Sequence, residues 1–177
     1  MNIKIISATK DHMPVIQNMA RFYAYDLSKS CGFYELYDWS FPENGLYEAI
    51  DLSKYWEEPN RYPFLIRVDN EIAGFALINK IARLPNTDWN MGEFFIVGKF
   101  QGKGIGKRVA FELFDKFPGQ WEVMQMPPNT PAIKFWKKVI ADYSHNQFDE
   151  SIITIQEPKP HDSNIFRFTA QGKKQED

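Results

Sequence analysis

The chain has one cysteine, three histidines and no block of like charge. Cys31 alone excludes an internal disulfide and any multi-cysteine metal site, and this agrees with a reducing compartment. With no histidine near it in sequence to activate it, Cys31 reads as an ordinary, partly buried thiol. His12, His145 and His161 fall in expected helix-start or loop contexts and read as surface residues. No histidine–carboxylate spacing suggests a metal, so none is expected. A formal net charge of -2 offers nothing general to nucleic acid or to an anionic membrane. No apolar run approaches spanning length, and Met1–Ser7 turns polar too quickly for a signal peptide. The expectation is a cytoplasmic protein with no membrane and no nucleic-acid partner. Internal repeats and low-complexity stretches are also missing. The 177 residues, 44% hydrophobic, suffice for one buried core. We read one domain over 1–170 and a polar tail over 171–177.

What the chain has in excess is aromatics, at 16%, and many of them crowd between Tyr23 and Tyr62 beside carboxylates, in a stretch without a clean period. That segment reads either as a surface excursion whose aromatics finish the core or as a pocket for an amine, with Tyr25, Asp26 and Glu35 as its candidate contacts. Before it, Ile3–Ser7 reads as a strand. A helix follows, with Pro14 in its first turn and Val15, Ile16, Met19, Ala20 and Tyr23 as its apolar stripe. A short helix is predicted over Leu46–Trp56. Phe64–Val68 and Ile72–Ile78, flanking Asp69-Asn70-Glu71, form a hairpin signal. Arg83–Asn90 reads as a loop that delivers the chain to a buried strand at Phe94–Val97.

That strand runs into Gly98-Lys99 and then into Gln101-Gly102-Lys103-Gly104-Ile105-Gly106-Lys107, which opens a helix striped by Ile105, Val109, Ala110, Leu113 and Phe114. Glycines at alternate positions remove three β-carbons from one turn, so backbone N–H groups can converge on an anion at the positive end of a helix. Lys99, Lys103, Lys107 and Arg108 surround the turn with positive charge, as a diphosphate would want. The spacing excludes a P-loop: Gly106-Lys107 is followed by Arg108 rather than Ser or Thr, and Gly102 lies too close to Gly106. It also lacks the third glycine of a dinucleotide fingerprint, since position 107 is Lys. Downstream, Trp121–Met126 reads as a strand parallel to the central one. Asn129-Thr130-Pro131 caps a helix carrying Ala132, Ile133, Trp136, Val139 and Ile140. Strands are predicted near Tyr143–Phe148, Ile152–Ile155 and Ile165–Thr169.

The Gln-x-x-Gly-x-Gly loop after a strand, together with Asn129-x-x-Ala132-x-x-Phe135-Trp136, resembles the motifs of the GNAT superfamily of N-acetyltransferases, and the order of elements resembles that fold throughout. The resemblance implies an α/β fold with a mixed, mostly antiparallel sheet flanked by helices. It implies acetyl-coenzyme A as co-substrate and an amine acceptor on a small molecule or protein, and it leaves a homodimer open. Carried over residue by residue, the backbone of Ile96 and Val97 would bond the pantetheine arm. The loop Gln101, Gly102, Lys103, Gly104, Ile105, Gly106 with Lys107 would take the pyrophosphate, and Asn129, Phe135 and Trp136 would line the pantetheine. Many relatives have a tyrosine where this chain has Trp136, and that phenol is thought to protonate the leaving thiolate. Indole cannot do so near neutral pH, and Tyr143 or a water is the substitute candidate. The missing tyrosine also leaves open a non-catalytic acyl-coenzyme A sensor of the same fold. From position, Glu93 is the candidate general base, on the same side of its strand as Phe95 and Val97. A strand amide near Val97 is the candidate donor to the thioester oxygen.

Overall fold

The computed structural model describes residues 1–172. Its elements are β1 (Ile3–Ser7), α1 (Met13–Cys31), α2 (Lys54–Glu57), β2 (Arg61–Val68), β3 (Glu71–Asn79), β4 (Trp89–Ile96), α3 (Ile105–Lys116), β5 (Gly119–Gln125), α4 (Thr130–Ser144), β6 (Phe148–Ile155) and β7 (His161–Ala170). The strands form one seven-stranded sheet in the order β1-β2-β3-β4-β5-β7-β6, with β4–β5 its parallel pair and the other neighbours antiparallel.

Two layers of core arise from the side-chain period of two. On one face, Phe64, Ile66, Val68, Ala76, Phe94 and Ile96 pack with Val109, Leu113 and Phe114 of α3 and Val139 and Ile140 of α4. On the other, Leu65, Phe75, Leu77 and Phe95 pack with Ile16, Met19 and Ala20 of α1. Burying side chains of this size is worth about 1.5–3 kcal/mol each, which makes the strand pattern the main determinant of register.

Several sequence expectations shift here. The helix predicted over Leu46–Trp56 shrinks to Lys54–Glu57, and residues 32–53 hold no regular element. The strand predicted near Tyr143–Phe148 is a helix end: α4 continues to Ser144 and stops at His145 and Asn146, both left-handed at φ 53 and 64. Phe148–Ile155 then forms one strand, absorbing the piece predicted at Ile152. β4 starts at Trp89, five residues before the predicted run, because its first part alternates polar and apolar side chains.

Two irregularities of β4 shape the centre of the sheet. Leu77 pairs with Glu93 but Ile78 with Met91, so Gly92 is an extra residue, a β-bulge. On its other edge β4 pairs with β5 only at Trp89↔Trp121 and Asn90↔Glu122. Beyond those pairs the two strands part.

Candidate active site

A cavity of about 730 Å³ fills the place where β4 and β5 separate. Gly92, Glu93 and Phe94 of β4 face Val123, Met124 and Gln125 of β5 across it. Asn129, Ala132 and Trp136 line it from the start of α4. Tyr23, Ala24 and Leu27 of α1 and the loop residues Tyr37, Asp38, Trp39, Tyr47 and Glu48 close the opposite end.

Register decides which backbone groups look into the gap. Val97 N–H donates to Ala73 C=O at 2.8 Å, so Val97 is tied to β3 and its amide is not free for a thioester oxygen, contrary to the sequence expectation. In an antiparallel ladder bonding direction alternates along the strand. The peptide groups of Phe94 and Ile96 therefore face away from β3, toward the gap. Gln101 supports the direction for Ile96, since its Nε2 donates to Ile96 C=O at 2.7 Å. That bond also fastens the glycine loop to the end of β4.

In the loop, Gly104 is the N-cap of α3 with φ +75, a left-handed conformation that glycine adopts without strain. The first helical bond runs from Arg108 N to Gly104 C=O, which leaves the amides of Ile105, Gly106 and Lys107 in the orphan first turn. The cations around it divide. Lys99 pairs with Glu71 at 2.5 Å and Lys107 with Asp142 at 2.7 Å, its ammonium also over the Phe111 ring. Lys103 and Arg108 make no ion pair among the described residues. Lys107 is thus drawn toward α4 rather than toward the loop. Phe135 stacks on Phe94 with ring centroids 6.0 Å apart and abuts Gly106, so it wedges the start of α3 against β4. Asn129 caps α4 through its Oδ1, which accepts from Ala132 N at 3.4 Å.

Glu93 lies between this cavity and a smaller one of about 320 Å³. Burial pushes its carboxyl up to about 7, and the adjacent Tyr23 phenol opposes the rise. Tyr23 itself packs against Phe75 and Phe95, both centroids 5.9 Å away, and burial with the adjacent carboxylate holds its phenol well above the ordinary tyrosine range. A carboxyl group titrating near neutrality can accept a proton and release it again at working pH. Trp136 edges onto Phe94 and Phe135 at 5.1 and 5.0 Å and is 5% exposed, an apolar wall of the cavity.

The other expected residues lie elsewhere. Tyr143 donates its hydroxyl to Asp115 at 2.9 Å and packs against Phe111, Phe114 and Phe168, two turns beyond Trp136 at the C-terminal end of α4, and does not line the cavity. Burial and the Asp115 carboxylate both raise its phenol, the wrong direction for an acid. Of the acceptor contacts, Tyr25 is 54% exposed and Asp26 pairs with Lys29 at 2.7 Å. Glu35 is exposed as well. None of the three lines the cavity. The segment that contains them does supply the wall, but through Tyr37, Asp38, Trp39, Tyr47 and Glu48. His161, read from sequence as a surface residue, also lines it, because β7 starts there beside the end of β5. A strand spacing that puts His161 and Ser163 on one face carried that signal, once the strand's true start was known.

The model of the acetyltransferase (GNAT) family matches residues 30–140. No curated protein matches. Among solved structures, an acetyltransferase from Thermus thermophilus is similar at TM-score 0.62 and 13% identity, over 96% of this chain and 97% of its own. The ribosomal-protein-S18-alanine N-acetyltransferase from Escherichia coli is similar at 0.55 and 14%, over 99% and 98%. A Bacillus anthracis protein solved in complex with acetyl coenzyme A is similar at 0.57 and 14%, over 96% and 99%.

Proposed function

The chain belongs to the GNAT family of acetyltransferases, and from that premise we propose that it transfers an acetyl group from acetyl-coenzyme A to an amine, with Glu93 as general base. The observation that carries the reading is the cavity between β4 and β5, which joins the free N–H groups of Phe94 and Ile96 to a carboxyl group raised to about 7. The orphan amides at the start of α3 would take the pyrophosphate, with Lys103 and Arg108 as the nearby cations that have no ion-pair partner among the described residues. The pantetheine would run past Phe94, Ile96, Asn129 and Trp136, its amides bonding to the strand.

The acceptor amine, entering from the α1 end, attacks the thioester carbonyl carbon. Its proton passes to Glu93, and the Ile96 N–H, aimed into the gap, stabilises the oxyanion. As the C–S bond breaks, the sulfur leaves as thiolate and takes a proton from water. With Trp136 on the wall and Tyr143 two turns further along α4 and bonded to Asp115, no phenol of the predicted set stands in for the missing tyrosine. A coenzyme A thiol is acidic enough to leave without one. Among the lining residues the charged side chains are Asp38, Glu48 and Glu93, with no lysine or arginine, which favours a cationic acceptor over an acidic one.

The test is free-thiol release from acetyl-coenzyme A against a panel of cationic, neutral and zwitterionic amines, followed by mass spectrometry of the product. Amine-dependent release is the expected result. Tight acetyl-coenzyme A binding without release for any amine would instead leave the non-catalytic sensor.

A further inference from the structure

The bulge at Gly92 stands one residue before Glu93, and something must hold it, since a bulge leaves its extra residue outside the ladder. Behind it lies a buried polar group. Asn79, 4% exposed, donates from Nδ2 to the Tyr55 hydroxyl at 2.7 Å. Its Oδ1 accepts from Ile81 N at 2.8 Å and from Asn90 Nδ2 at 3.2 Å. Tyr55 comes from α2, and its ring lies under the Arg61 guanidinium, 5.1 Å away, while Arg61 is bonded to Glu58. Three elements, α2, β3 and β4, thus meet in one network directly against the backbone of Gly92. A β-carbon there would overlap the Tyr55 hydroxyl and approach Asn79 Nδ2 to 2.7 Å.

We infer that Tyr55 and Asn79 are positioning residues: together they clamp the Gly92 bulge and so fix the seat from which the Glu93 carboxylate reaches the acceptor cavity. The inference rests on the reading of Glu93 as the base. The geometry is more specific than a general packing role requires. The polar cluster is satisfied almost wholly within itself, it holds β4 through Asn90 and abuts the one residue the ladder does not hold, and the side chain next in sequence is the carboxylate. A bulge re-aims the side chains beyond it. Were Gly92 paired with Leu77 as a regular residue instead of bulged, Glu93 would fall opposite Ala76 and turn toward α3 and α4, because one residue of slip reverses the faces.

Gly92→Ala tests this, because the added methyl pushes on the clamp without changing any titratable group. The groups sharing the smaller cavity with Glu93 are Asp51, Lys54, Arg61, Arg83 and Glu122, and the phenols of Tyr23, Tyr37 and Tyr55 face its carboxyl. All of them remain. The expected result is a kcat lower by about tenfold or more, since a general base is worth about a hundredfold when well placed. Acetyl-coenzyme A affinity should stay within about twofold, as for sites that share no partner. Tyr55→Phe in the Gly92→Ala background removes the overlapping oxygen and frees Asn79 to turn away. The double variant should therefore recover about fivefold of the lost rate, although Tyr55→Phe alone slows the parent. A second readout needs no turnover: the Glu93 carboxyl carbon, followed by ¹³C NMR and assigned by its loss in Glu93→Gln, should titrate lower in Gly92→Ala and move back toward parental in the double variant. A parental carboxyl titration in Gly92→Ala, or damage that Tyr55→Phe leaves untouched, overturns the clamp. A titration that moves and recovers while Glu93→Gln keeps full activity would uphold the clamp and remove Glu93 from the chemistry.

Discussion

Glu93 is a carboxylate that the fold holds at a cost. Its unfolded-chain counterpart ionises near 4.5, whereas the folded group ionises at about 7. Between those values the folded state keeps a proton that the unfolded state has released, so the protein loses stability as pH rises through that window. Glu93→Gln removes the penalty. The variant should be more stable than the parent by about 1–3 kcal/mol at pH 8, after allowance for solvent screening. The difference should shrink toward zero near pH 4.5, and denaturant melts at the two pH values check it. The same variant should lose about a hundredfold in kcat/KM, with the ascending limb of the pH–rate profile, placed near 7 in the parent, displaced to the acceptor's own ionisation. Retention of a third or more of the activity would be too small a loss for a general base. Tyr143→Phe should behave oppositely. With its hydroxyl spent on Asp115 it should leave kcat unchanged and cost about 1 kcal/mol of stability, one hydrogen bond's worth.

The elements most legible in the sequence were those with a clean period or punctuation. The hairpin of β2 and β3, the glycine loop, and helices α3 and α4 follow from apolar spacing and from Gly, Asn and Pro at their ends. Where the reading failed, a physical competitor is visible. Tyr143 looked like a strand start because it is aromatic and follows Ile140, yet the chain stays helical until His145 and Asn146 take left-handed turns. Residues 32–53 carry no period because their side chains serve a cavity rather than a face. That also explains why Tyr25, Asp26 and Glu35 were chosen from the right neighbourhood and miss the wall. Val97 fitted the motif by position, but only the ladder register shows its amide spent on Ala73. The loop itself yields a prediction. Gly104→Asp retains a residue tolerant of φ +75, so the fold should survive. Its carboxylate would sit where the pyrophosphate is proposed, and acetyl-coenzyme A affinity measured by calorimetry should fall at least about a hundredfold. Binding within threefold of the parent would remove the loop from the cofactor site.

At the scale of the molecule, the sheet works as two blocks, β1–β4 and β5–β7–β6, joined through two residue pairs. α1 and residues 32–53 close one end of the opening between them, and the start of α4 bounds the other. Charge on the acceptor side belongs to that arrangement rather than to any one residue. Asp38, kept ionised by its bonds to Ser40, and Glu48 stand on the loop around the aromatic wall. Replacing both by their amides should raise KM for a cationic amine about fivefold or more, weakening with added salt, while acetyl-coenzyme A affinity stays put. Asp26→Asn and Glu35→Gln should change neither.

The parting of β4 from β5 also makes the protein its own occupancy gauge. The amides of Phe94 and Ile96 sit in the middle of a sheet yet have no strand to bond on that side, so deuterium should replace their hydrogens far sooner than those of Phe95 or Val97, which are locked to β3. Anything that fills the opening and accepts those two bonds would slow exchange at alternate positions along one strand and nowhere else on it. That every-other-residue protection pattern, read by NMR with acetyl-coenzyme A or any fragment of it, would report which part of a ligand has reached the strand before any acceptor is known.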